Sequence, residues 1–157
     1  MATSRIYRGA DLRLGRFSEA GRPYLVTTVT RYRRPVFREP LAAMACARAL
    51  HHTPGEAAIT SLAWVIMPDH VHWLLTLNGD SLHVVLRKFK SRAARAVNAA
   101  LDSQGPFWQR GYHDRALRRD ADLPAAARYI VANPVRAGLC ERVMDYPYWD
   151  AVWVGQR

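Results

Sequence analysis

A chain of 157 residues, half of them hydrophobic and 23% charged, has the size and apolar content of one folded domain, which excludes a disordered or low-complexity protein. No stretch is long and apolar enough for a membrane span or a signal peptide, so a soluble, cytoplasmic protein is expected. The formal net charge is +10, and every basic residue except Lys88 and Lys90 is arginine, a balance whose forked guanidinium groups suit phosphates and base edges and so favours a nucleic-acid partner.

Residues 1–22 hold Arg5, Arg8, Arg13 and Arg16 among glycines with no apolar period, and are expected to form a basic arm ahead of a single domain over 23–157. Tyr24 to Thr30 is β-branched and aromatic and predicts the first strand, followed by a basic turn with Arg33 and Arg34. Pro40 opens an Ala-rich helix to about His51. Ile59 to Ile66 and His70 to Leu77 predict two strands joined at Met67-Pro68-Asp69 as a hairpin. From Ser81 to about Leu101, Leu82, Val85, Leu86, Phe89, Ala93, Ala96 and Val97 recur at helical spacing, with Lys88, Arg92 and Arg95 on another face.

A fourth strand is expected near Tyr112 to Leu117, then a helix capped by Asp122 that carries Tyr129 and reaches about Asn133, where Pro134 ends or kinks it. The C-terminus, rich in Trp and Tyr, is expected on the domain's edge. Cys46 and Cys140 make no CxxC pair and are expected as buried, reduced thiols. The order β-α-β-β-α-β-α suits an α+β, ferredoxin-like antiparallel sheet with helices over a face.

On a strand, His70 and His72 project to one face while Val71 enters the other. Two imidazoles side by side are suited to share a divalent cation, with a third ligand from elsewhere and open positions left for substrate. Two polar residues on a half-exposed strand are the plainer reading, but the apolar neighbours Trp64, Val65, Ile66, Leu74, Leu75 and Leu77 argue for a purpose. A histidine-triad hydrolase would need a third alternate histidine where Leu74 stands. A structural zinc site would need Cys or His spacings that the chain lacks. At i and i+4 of a helix, Tyr129 and Asn133 stand side by side, one offering a phenol and the other a carbonyl oxygen. Packing for the tyrosine and helix termination for Asn133-Pro134 are the alternatives.

The segments Met67-Pro68-Asp69-His70-Val71-His72-Trp73-Leu74-Leu75, Phe89-Lys90-Ser91, Trp108-Gln109-Arg110 and Tyr129-Ile130 through Asn133-Pro134-Val135-Arg136-Ala137-Gly138 together resemble the single-tyrosine HUH transposases, and more narrowly the REP-associated tyrosine transposases. That resemblance implies the ferredoxin-like HUH fold and cleavage and rejoining of single-stranded or hairpin DNA with a divalent cation, magnesium or manganese. It assigns the cation to His70 and His72, the nucleophile to Tyr129 and a third-ligand role to Asn133, where relatives often carry Gln. Asp69 stands where many relatives have Asn.

The resemblance also implies a bacterial, nucleoid-associated protein working as a monomer or a homodimer, its arm reading DNA beside a hairpin. Arg5, Arg8, Arg13, Arg16, Arg33, Arg34, Lys88, Lys90, Arg92 and Arg95 are the expected DNA contacts, and Tyr32, Trp73 and Trp108 are candidates to stack on unpaired bases. A non-catalytic nucleic-acid-binding domain of the same element order, or a domesticated relative that binds hairpin DNA and no longer transposes, stands as the alternative to this reading.

Overall fold

The computed structural model describes residues 5–7 and 19–154. Its strands are β1 (Arg5–Tyr7), β2 (Pro23–Val29), β3 (Ile59–Met67), β4 (His70–Leu77), β5 (Tyr112–Ala116) and β6 (Trp149–Ala151). Its helices are α1 (Pro40–His52), α2 (Leu82–Ala100), α3 (Leu123–Val131) and the single turn α4 (Asn133–Arg136). The strands form one antiparallel sheet in the order β1-β5-β2-β4-β3-β6. Its inner four strands, with α1 and α2 as connections, have the ferredoxin-like arrangement that the element order implies.

Both edges add something to that expectation. β1 falls inside the segment read as an arm, and pairs with β5 from Arg5 opposite Asp114 to Tyr7 opposite Tyr112. The aromatic C-terminus supplies β6, which pairs with β3 at the other edge. Edges this short offer little backbone for pairing with another chain.

The pleat sends alternate residues of each strand to different cores. On one face Val26, Trp64, Ile66, Val71, Trp73, Leu75 and Leu77 pack with α1 and α2. There α2 buries Leu82, Val85, Leu86, Phe89, Ala93 and Val97, each large aliphatic or aromatic group contributing on the order of 2 kcal/mol. Ser81 caps this helix by accepting from the Val84 amide at 3.3 Å. Cys46 lies wholly within this core, where burial pushes its thiol far above its ordinary range, and Cys140 is half-buried.

The other face carries a smaller cluster, Ala63, Val65, Met67 and Leu74 against Ala127, Ile130 and Val131 of α3. Asp122 caps α3, accepting from the Ala125 amide at 2.9 Å. This helix stops at Val131, two residues short of the expected end, because Ala132 has ψ −4 and Pro134 enters the first turn of α4. Gly138 takes φ 75, the left-handed conformation that closes a helix, and its amide donates to the Val135 carbonyl at 3.0 Å.

Candidate active site

Strand register decides what meets the two histidines. Thr27 and Val65 flank His72, and Val29 and Met67 flank His70, so all share the α3 face. His113 of β5 lies opposite Thr27 and joins that face. The result is an open cleft of about 220 Å³ lined by Thr27, Val29, Arg33, His70, His72 and His113. The two imidazoles stand edge to face with ring centroids 4.7 Å apart.

Each ring is held through Nδ1. His70 Nδ1 lies 2.6 Å from the Asp69 carboxylate, and His72 Nδ1 lies 2.8 Å from the Thr27 hydroxyl. Such bonds set the tautomer and orientation of a metal-binding histidine and leave Nε2 as the ligand atom. Burial, the neighbouring His70 and the Arg136 charge push the His72 pKa down to about 4, so at neutral pH it is the uncharged imidazole that a metal requires. Burial raises the Asp69 pKa, but bonds from His70 and from Arg33 at 3.1 Å outweigh this and hold it below its ordinary value. Among the described residues, no three His, Cys, Asp or Glu side chains converge as a metal-binding group. Two imidazoles side by side are donors of the type that suits a divalent cation, and by themselves they would leave its other positions to a neutral oxygen, substrate or water.

Tyr129 is not among the residues lining the cleft. Ala127, Ile130 and Val131 hold α3 down, and Tyr129 projects from its flank, 61% exposed. Arg136 of α4 lies over its ring, Cζ 4.0 Å from the centroid, and donates from Nη2 to the Tyr129 carbonyl at 2.6 Å. Asn133 also lies outside the cleft lining; its Nδ2 donates to the Ile130 carbonyl at 2.8 Å, which leaves Oδ1 as the atom available to a ligand. The uninterrupted helical turn from Tyr129 to Asn133 is replaced by the break at Ala132.

The expected DNA contacts divide between the two faces. Arg33 lines the cleft beside Asp69, and Arg34 donates to the carbonyls of Arg31 and Pro106 nearby. Lys88, Lys90, Arg92 and Arg95 belong to α2, across the sheet from the histidines. Lys88 donates to the Glu56 carbonyl and Arg92 pairs with the Glu56 carboxylate. Lys90 donates to the Gln109 and Gly111 carbonyls at 3.0 and 2.7 Å, and burial pushes its pKa down to about 8. Arg95 is exposed. Arg5 begins β1, and Arg8, Arg13 and Arg16 lie outside the described residues.

Of the three aromatics considered for stacking, Trp73 is buried and bonded to Ser61, and Trp108 packs among Phe37, Phe89 and Phe107. Only Tyr32 is presented to solvent, 79% exposed. Sequence reasoning passed over Thr27, His113 and Arg136. The first two are brought in by strand register, and the third lay within the quoted motif without a role.

Three comparisons bear on this arrangement. Residues 22–133 match the family described as IS200-like transposase. A protein of Haemophilus influenzae assigned to the REP-associated tyrosine transposases is 32% identical over 108 residues, 62% of this chain and 59% of that protein. The REP-associated tyrosine transposase of Escherichia coli is 30% identical over 88 residues, 55% of this chain and 50% of its own length. The chain thus matches half of one relative and about three fifths of the other. Among solved structures, a REP-associated tyrosine transposase bound to a REP hairpin superposes with a TM-score of 0.71 at 25% identity, covering 86% of this chain and 79% of the other. A transposase-like protein of Deinococcus radiodurans shares the fold, with a TM-score of 0.53 at 21% identity over 76% of this chain and 95% of its own.

Proposed function

Since the chain belongs to the IS200-like transposase family, we propose that it cleaves and rejoins single-stranded DNA through a covalent bond between Tyr129 and a 5′ phosphate. Hairpin-forming DNA is the substrate class we assign, because the solved relative carries a REP hairpin. The observation that carries the reading is the orientation of the histidine pair. Asp69 and Thr27 occupy both Nδ1 atoms, which leaves two ligand nitrogens at a cleft on the face that α3 covers.

In the reaction, Tyr129 Oη attacks the scissile phosphorus. The Oη–P bond forms as the P–O3′ bond breaks, the phenol's proton passes to solvent and the departing oxygen takes a proton to become a 3′ hydroxyl. One phosphodiester replaces another, so a second 3′ hydroxyl reverses the step on a new strand without an external energy source. A divalent cation, magnesium or manganese, held by His70 and His72 with Asn133 Oδ1 as third ligand, would supply Lewis-acid polarisation of the phosphate. Asp69 and Thr27 keep the imidazoles aimed, and Arg33 places positive charge beside the strand's backbone.

The test uses a hairpin oligonucleotide labelled at its 3′ end, with manganese, and looks for a denaturation-resistant protein–DNA band. Tyr129→Phe is expected to lose the band and keep hairpin affinity. A band that survives in this variant would move the nucleophile elsewhere, and binding by the unaltered protein with no band at all would leave a DNA-binding domain without chemistry.

A further inference from the structure

An exposed phenol on the flank of a helix has several rotamers open to it, and a nucleophile spread over them spends little time in line with a phosphate. Tyr129 is in that position, since α3 buries its neighbours and leaves its own ring 61% exposed. One side chain restrains it. The Arg136 guanidinium lies 4.0 Å from the ring centroid and is anchored by a 2.6 Å bond to the Tyr129 carbonyl. A fork that stacks and donates at once is an arrangement that lysine cannot copy.

Arg136 is itself placed by backbone devices. Pro134 stands in the first turn of α4, and Gly138 follows its end, two residues after the arginine.

We propose that Arg136 is the positioning residue for Tyr129, pinning the nucleophile's ring in one orientation against α4. This rests on the reading of Tyr129 as the nucleophile. The residue acts through the tyrosine: it sets the rate of covalent attack and leaves DNA affinity to other groups.

Two readouts test this, one independent of catalysis. In metal-free protein labelled with 3-fluorotyrosine, the Tyr129 resonance is identified by its loss in Tyr129→Phe. Arg136→Met is expected to shift that resonance towards the free amino acid while the other tyrosine resonances stay in place, which also reports an intact fold. In single-turnover assays with a hairpin oligonucleotide and manganese, Arg136→Met is expected to slow adduct formation at least tenfold with hairpin affinity unchanged. Arg136→Lys is expected to recover little of the rate.

An unmoved resonance, a wild-type rate or a faster one would overturn the proposal, as would a rate loss matched by a loss of affinity. If Tyr129→Phe abolishes the adduct while Arg136→Met leaves the rate intact, the nucleophile stands and only the positioning role falls. If Tyr129→Phe keeps the adduct, both fall.

Discussion

The Thr27 hydroxyl lies 2.8 Å from His72 Nδ1, across the ladder that joins β2 to β4. With Nε2 as a metal ligand, Nδ1 carries the proton and donates to the threonine oxygen. Thr27→Val keeps the shape and removes the acceptor. Loss of such an outer partner weakens metal binding by roughly 10- to 100-fold. Calorimetric titration with manganese should show a drop in that range, and unchanged affinity would mean that Thr27 does not orient the ring.

Asn133 is the proposed third ligand, its amide nitrogen fixed to the Ile130 carbonyl and its oxygen available. Asn133→Ala is expected to weaken manganese binding at least tenfold, whereas Asn133→Asp should strengthen it by adding charge at the same place. Equal affinity in all three proteins would reduce Asn133 to a helix-end residue.

His72 makes stability depend on pH. An unfolded histidine protonates near 6.5, and folded His72 near 4, because of burial, His70 and Arg136. Between these values the unfolded chain binds more protons, so stability rises with pH. This contribution is complete above about pH 6.5 and is lost as pH falls through about 4; its full size is about 3 kcal/mol at 1.36 kcal/mol per pKa unit. Urea midpoints of chelator-treated protein should fall across this window, and His72→Gln should flatten part of the slope.

Tyr32 and Arg33 have φ values of 58 and 51, a left-handed conformation that costs a non-glycine residue roughly 1–2 kcal/mol. The strained turn holds Tyr32 in solvent and Arg33 at the cleft. Tyr32→Gly is therefore expected to raise unfolding free energy by about 1 kcal/mol. If the ring stacks on an unpaired base, the same variant weakens single-strand binding by about 1–3 kcal/mol. Opposite signs in the two measurements would mark the strain as functional, and weaker folding with unchanged binding would refute that.

The sheet separates two sets of cations. Arg33→Ala is expected to weaken hairpin binding and to flatten the plot of log affinity against log salt by about 0.7, one single-strand phosphate contact. Arg92→Ala, on the far face and paired with Glu56, should leave the slope unaltered. A change of slope from Arg92 alone would carry the DNA over α2 instead.

How much of this was legible in the sequence follows from which signals are local. Alternation in His70–Leu77, the α2 stripe and the Asp122 cap each lie within one element, and each corresponds to what folds. β1 is three residues, Arg-Ile-Tyr, too short for an alternation to register, and it is made a strand by its partner β5. The presence of Thr27 and His113 beside the histidines depends on register between strands distant in the chain. The cations of α2 were visible as a polar face, but which side of the sheet the helix covers is a property of the crossover and not of the helix. Arg136 escaped notice because its partner lies across the helix break at Ala132, and a break at Pro134 does not by itself say which side chains meet across it.

The segregation of the two cores has a bearing on the protein's fate in its host. α1 and α2 seal one side of the sheet over the larger core, while the imidazoles occupy the other side, beside the smaller cluster. On the proposed reading, exchanging the exposed Tyr129 would silence the reaction and leave the larger core untouched. On the same reading, a copy that had stopped cutting would still fold and still grip nucleic acid, a ready starting point for a role unrelated to mobility.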